Sequence, residues 1–223
     1  MNKVKISASI IAGDLTNLRE TVRELESAQV DLIHVDTMDG HFFDYIGLGY
    51  HLVKALRKIS KIPIEVHLAV LEPEKVVEQF LEVGADTILI QLETSIFPLR
   101  ILRRIRAAGV RSGIALLPST PIQQIQPLIN YIDQVLLLSN NDSAFFGWDD
   151  SEFLPETFER ISEVLKVFGG GVDIAVDGGV RLDIIRELVK AGATILVMGR
   201  SIFSGDIREN VAKIRSLIEE EKR

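Results

Sequence analysis

His34 and Asp36 stand two residues apart in a short apolar run, Ile33-His34-Val35-Asp36-Thr37-Met38, which then breaks into Asp39-Gly40-His41. Alternate side chains of a β-strand share a face, so His34, Asp36 and Met38 would point one way and Ile33, Val35 and Thr37 the other. An imidazole and a carboxylate on one face at a strand end can hold a divalent metal. An ordinary polar strand end has the same appearance, and this stretch alone leaves both readings open. Ligand-type residues also close other apolar runs. Glu65-Val66-His67 ends one, Val176-Asp177-Gly178-Gly179 another, and Met198-Gly199-Arg200-Ser201 a third, while Ser9 stands near the end of the first run of the chain.

These positions have chemical meaning only if the chain brings the runs together. Short apolar runs alternate throughout with longer amphipathic ones. The pattern predicts strands near 4–10, 31–36, 63–68, 86–91, 110–117, 132–138, 172–176 and 194–198. Between and after them it predicts helices near 15–28, 49–60, from Pro73, and then near 98–108, 121–130, 155–168, 181–191 and 206–220. Leu18, Val22 and Leu25 have helical spacing, Asp14 is placed to cap their helix, and Pro73 and Gly109 mark a start and a stop. Strands that alternate with helices imply a parallel sheet. Eight such units in 223 residues suit a single-domain (β/α)8 barrel. An open doubly wound sheet is the alternative, but no Gly-x-Gly-x-x-Gly follows the first strand.

Composition narrows the function. The chain is 47% hydrophobic with a net charge of −7, so it carries no basic footprint for nucleic acid. It has no cysteine, hence no disulfide framework and no thiolate chemistry. The N-terminal residues run straight into a strand-like segment without a signal-peptide pattern, and no apolar run is long enough to span a bilayer. The expectation is a soluble cytoplasmic protein.

In a barrel, chemistry collects at the C-terminal ends of the strands. His34, Asp36, His67 and Asp177 would then meet at one mouth, a donor set suited to Zn²⁺, Fe²⁺ or Mn²⁺. The loops after strands seven and eight often bind phosphate through backbone N–H groups, which assigns Gly178, Gly179 and Gly199 that role. Arg200 would add a charged fork. Tight turns alone would also account for the glycines. His41 lies in a loop, His51 at a helix start, and Trp148 in a loop that could cover the site or pack on the rim.

Taken together, these segments are familiar. The run from Ile33 to Phe42 resembles the signature of the ribulose-phosphate 3-epimerase family. So do Lys5-Ile6-Ser7-Ala8-Ser9-Ile10, Glu65-Val66-His67-Leu68, Asn141, Phe153-Leu154-Pro155-Glu156-Thr157 and Val176-Asp177-Gly178-Gly179-Val180. The resemblance implies a (β/α)8 barrel, epimerisation at C3 of a phosphorylated ketose, and assembly as a homo-oligomer. It also implies one divalent metal per chain, with Zn²⁺ the expected ion and Fe²⁺, Mn²⁺ or Co²⁺ the alternatives. The family's metal ligands fall on His34, Asp36, His67 and Asp177, its acid/base pair on Asp36 and Asp177, and its substrate-contacting serine on Ser9. Met38, His67, Gly178, Gly179, Gly199 and Arg200 complete the expected substrate set.

The departures concern the substrate pocket. The family usually has Asn-Pro-Gly-Phe-Gly-Gly-Gln after strand six, whose glycine amides hold phosphate; here the segment begins Asn140-Asn141-Asp142 and ends Trp148-Asp149-Asp150. Phe43-Asp44-Tyr45 replaces a Val-Pro-Asn segment. Ala69, and Leu137 or Leu138, stand where methionines are expected, and Gly199-Arg200 where Gly-Ser is usual. Catalysis is expected to be kept and the pocket rebuilt, with Arg200 in place of the missing donors. Other readings use related sites. One is an isomerase or aldolase acting on a similar sugar phosphate, and another is a silent sugar-phosphate-binding barrel. A related decarboxylase would need a lysine where Met38 stands.

Overall fold

The computed structural model describes residues 3–140 and 152–221. Its strands are β1 (Lys5–Ser9), β2 (Leu32–Met38), β3 (Ile64–Ala69), β4 (Thr87–Gln91), β5 (Arg111–Leu116), β6 (Gln134–Leu138), β7 (Asp173–Asp177) and β8 (Ile195–Met198). They form a closed parallel barrel in chain order, with β1 also pairing with β8. The helices are α1 (Leu18–Ser27), α2 (Tyr50–Ile59), α3 (Val77–Glu82), α4 (Pro98–Ala107), α5 (Thr157–Phe168), α6 (Ile185–Ala191), α7 (Arg200–Phe203) and α8 (Ile207–Glu221). The (β/α)8 expectation is thus met.

Each strand is buried on both faces, which is why its residues read as nearly continuous apolar runs. Outward-facing side chains such as Ile33, Val35, Val66 and Ile88 pack against the helices in one large core. A smaller core fills the barrel, built from Leu32, Leu89, Leu136, Ala175, Ile195 and Val197. The barrel interior is crowded at Gly113 of β5. A Cβ there would lie 2.3 Å from a Leu89 methyl and 2.5 Å from the Gln134 carbonyl oxygen. At the N-terminal rim, Asp31, Asp86 and Asp133 accept backbone N–H bonds from Ile6, Ile64 and Ser112 at 2.8, 2.8 and 3.0 Å, tying neighbouring strands together.

Several helices differ from the sequence expectation. Asp14 does cap, accepting from the Thr16 N–H at 2.9 Å, but it opens a 3₁₀ turn at Leu15–Asn17 before α1 begins. Pro73 likewise opens a 3₁₀ turn ahead of α3. The segment expected to be an α-helix near 121–130 is a 3₁₀ helix, Ile122–Tyr131, throughout. Pro127 lies inside it. Proline has no N–H to give, and in an α-helix its ring would clash with the carbonyl four residues back. The tighter helix still buries Ile122, Ile125 and Leu128 against the barrel.

Candidate metal and substrate site

Strand register builds the site. On β2 and β3, His34 lies opposite Glu65, Asp36 opposite His67 and Met38 opposite Ala69; Leu138 of β6 lies opposite Asp177 of β7. The inward parity of β2 thus turns His34, Asp36 and Met38 into the barrel, as expected. Ligand atoms of His34, Asp36, His67 and Asp177 all lie within 4.8 Å of one another, so the set could hold a metal ion.

The hydrogen bonds around the two imidazoles decide what they offer. Glu65 is fully buried, and its Oε1 lies 3.0 Å from His34 Nδ1 and accepts the Ser7 hydroxyl at 2.5 Å. Its Oε2 accepts from the Gln134 amide at 2.8 Å. His34 Nδ1 must therefore donate to Glu65, since a carboxylate has nothing to give. That leaves His34 Nε2 facing Asp36 Oδ1 at 3.0 Å, with Asp177 Oδ2 at 3.8 Å. His67 faces the same Asp36 oxygen through Nδ1 at 3.2 Å, while its Nε2 meets Gln91 Oε1 at 2.8 Å. Each ring thus spends its far nitrogen on an outer partner and turns the near one to the cluster, an arrangement that prepares imidazole to ligate metal.

The cluster asks for a cation. A neutral imidazole lone pair against a carboxylate oxygen at 3 Å is repulsive unless a proton or a metal lies between. Without metal, protons do the work. Burial opposes charge on His34, but the Asp36 and Glu65 carboxylates outweigh it and raise its pKa well above the ordinary 6.5. Burial would also raise Asp36, yet His34 and His67 hold it far below the usual carboxylate range. Asp177 goes the other way: burial and the nearby Asp36 charge push it up to about 6. Two imidazole nitrogens and two carboxylates also match the donor chemistry of zinc and its first-row neighbours.

Above the cluster opens a cavity of about 760 Å³. Ser9, Met38 and His67 line it, as do Gly178, Gly179, Gly199 and Arg200, so the expected substrate set is brought together around Asp36 and Asp177. His34 is not part of the wall and lies fully buried beneath it. Ser9 Oγ donates to Asp36 Oδ2 at 3.2 Å. Gly178 has φ of +107°, and a Cβ on it would lie 2.4 Å from Asn140 Oδ1. Of the two leucines standing for a methionine, Leu138 faces the cavity and Leu137 packs outward against the helices. Ala69, Phe43 and Tyr45 complete the altered wall. His41 is exposed, with Nδ1 3.5 Å from Asp39 Oδ2, and His51 is exposed beside Tyr50. Asn141, Asp142, Trp148, Asp149 and Asp150 lie outside the described residues.

Two residues of the site, Glu65 and Gln91, received no role from the sequence. Parity could have found them. Glu65 shares the inward face of β3 with His67, and Gln91 is the polar end of an otherwise apolar strand.

A closed barrel with a His/Asp cluster at its C-terminal mouth defines a (β/α)8 protein whose site could hold a metal ion beneath a cavity sized for a small molecule. A model of the ribulose-phosphate 3 epimerase family matches residues 5–203, and the chain belongs to that family of carbohydrate epimerases. It is 33% identical over 218 residues to the ribulose-phosphate 3-epimerase of Aquifex aeolicus, covering 96% of each chain. It is 34% identical over 216 residues to that of Methanocaldococcus jannaschii, covering 95% of this chain and 90% of the relative. Among solved structures, the 3-keto-L-gulonate-6-phosphate decarboxylase of Vibrio cholerae superposes with a TM-score of 0.77 at 15% identity, covering 98% of this chain and 99% of that one. The 3-hexulose-6-phosphate synthase of Salmonella typhimurium superposes at 0.72 and 17% identity, covering 97% and 99%. At such identities these structures share the fold alone. No helix among the described residues is long and apolar enough to cross a membrane.

Proposed function

We propose that this chain inverts C3 of a ketose phosphate, with ribulose 5-phosphate and xylulose 5-phosphate the expected pair and a related pentulose or hexulose phosphate the alternative. The observation that carries the reading is the meeting of two carboxylates and two imidazoles within 4.8 Å at the barrel mouth. The proton on C3 of a 2-ketose is acidified by the adjacent carbonyl. Inversion needs a base on one face of the planar enediolate and an acid on the other. Asp36 and Asp177 reach the mouth from β2 and β7, on different sides of it. Asp36, held ionised by its imidazole neighbours, is suited to take the proton. Both imidazoles face its Oδ1, so Oδ2, steadied by Ser9, is the oxygen left for that step. Asp177, pushed up to about 6 in the metal-free fold, takes a proton more readily than Asp36 and is suited to deliver one from the other face. The roles exchange in the reverse direction.

A divalent ion, zinc by preference, held by His34, Asp36, His67 and Asp177 would supply Lewis-acid stabilisation of the charge that develops as the proton leaves. Gly178, Gly179, Gly199 and Arg200 would receive the phosphate, with Met38 and His67 against the sugar. The enzyme so described is cytoplasmic and a homo-oligomer. The test is conversion of ribulose 5-phosphate before and after chelation. Turnover should disappear with the metal and return when Zn²⁺, Fe²⁺, Mn²⁺ or Co²⁺ is restored. Unchanged turnover in demonstrably metal-free protein would refute the metal role.

A further inference from the structure

We infer that Glu93 is a positioning residue for metal capture: acting through Gln91, it fixes which ring nitrogen His67 turns to the cluster. The inference rests on the metal reading above. Gln91, at the end of β4, is fully buried and sits between His67 and Glu93. Its Nε2 donates to Glu93 Oε2 at 2.5 Å, and its Oε1 lies 2.8 Å from His67 Nε2. Glu93 Oε1 is spent on the other side, accepting the Leu117 N–H at 2.9 Å and the Thr120 hydroxyl.

An amide between two partners can stand either way round, and nothing in Gln91 itself selects one. Glu93 does. A carboxylate only accepts, so the Gln91 NH₂ must turn toward it and the Gln91 oxygen must turn toward His67. That oxygen in turn requires a proton on His67 Nε2, which leaves Nδ1, 3.2 Å from Asp36 Oδ1, as the nitrogen that a metal would take and that a second proton takes in its absence. The far end of this relay is held firmly. Arg160 of α5 donates to the Pro118 and Thr120 carbonyls at 2.8 and 2.9 Å and to the Leu117 carbonyl at 2.9 Å. The loop that grips Glu93 is therefore fastened to a helix.

Glu93→Gln removes the element that sets the direction. Its single oxygen is claimed by Leu117 and Thr120, so its NH₂ faces Gln91. Gln91 must then reverse, its NH₂ faces His67 Nε2, and the ring is protonated at Nδ1, where it cannot ligate. The reciprocal variant Q91E/E93Q keeps the net charge and restores the order. The carboxylate then stands at position 91, where it accepts from both the amide at position 93 and His67.

The test reads ¹⁵N-histidine NMR of metal-free protein at about pH 8.5, above the ordinary imidazole range, together with Zn²⁺ affinity by calorimetry. His67 peaks are assigned by their loss in His67→Asn. Wild type should show His67 protonated at Nε2. Glu93→Gln should show Nε2 without a proton and bind Zn²⁺ about 10- to 100-fold more weakly, and Q91E/E93Q should recover both properties. A wild-type His67 with no proton on Nε2 overturns the inference even if no variant folds. So does a protonated Nε2 with unchanged affinity in Glu93→Gln, or a double variant no better than the single one. Wild-type protein that binds no Zn²⁺ would sink the metal reading, and the protonation of Nε2 would still decide the relay.

Discussion

Asp177 holds the unusual proton of the site. Its pKa rises from the ordinary 3.8 in the unfolded chain to about 6 in the metal-free fold, because burial and Asp36 both oppose its charge. The sign follows from linkage. A group whose pKa rises on folding favours the fold while protonated, so its contribution is present below about pH 4 and is lost as pH climbs through about 6. Asp177→Asn removes the penalty. The chelated variant should melt about 2 °C or more above wild type near pH 8, with the gap closing toward pH 4 and turnover lost. Parallel melting curves across that range would contradict the assignment. His34, Asp36, His67 and Asp177 were legible because their types and strand-end spacing announce ligand chemistry. Parity turns Glu65 and Gln91 inward as well, but what they do there is carried by contacts between β2, β3, β4 and β6, which no single run of sequence records.

The barrel places these groups through register, and register depends on close packing between strands. Gly113 tests that dependence. A Cβ would meet backbone of β6 at 2.5 Å and Leu89 at 2.3 Å, so either β5 or β6 must shift. Gly113→Ala should cost about 1–3 kcal/mol, the usual range for overpacking, read as a lower urea midpoint. A neutral substitution would show that the strands move apart freely. Strand existence was legible along the whole chain, because burial on both faces writes itself as apolar runs. Helix type was less so. Ile122, Ile125 and Leu128 show a buried stripe whose period fits α and 3₁₀ alike over so few turns, and the Pro127 ring, which would clash with the carbonyl four residues back in an α-helix, weighs against α. The pocket was legible as altered but not in its shape. Only the inward turn of Leu138 and outward turn of Leu137 tell which one borders the substrate.

At the scale of the whole molecule, a chain of net charge −7 is proposed to receive an anion. Local donors must then outweigh the general field. Arg200 lines the cavity beside Gly199 and Ser201, and its guanidinium can hold two phosphate oxygens at once. Arg200→Ala should raise KM for the phosphorylated ketose more than about tenfold, about 1.4 kcal/mol, and Arg200→Lys should recover only part of it. An unchanged KM, or preference for the unphosphorylated sugar, would remove the phosphate from this end of the cavity. The claim that Asp36 and Asp177 exchange the C3 proton is tested most directly in D₂O. Ribulose 5-phosphate and xylulose 5-phosphate recovered from the enzyme should carry deuterium at C3 and none at C1. Asp36→Asn and Asp177→Asn should each abolish the interconversion. Deuterium at C1, cleavage of the carbon chain, or wild-type interconversion in either aspartate variant would contradict it.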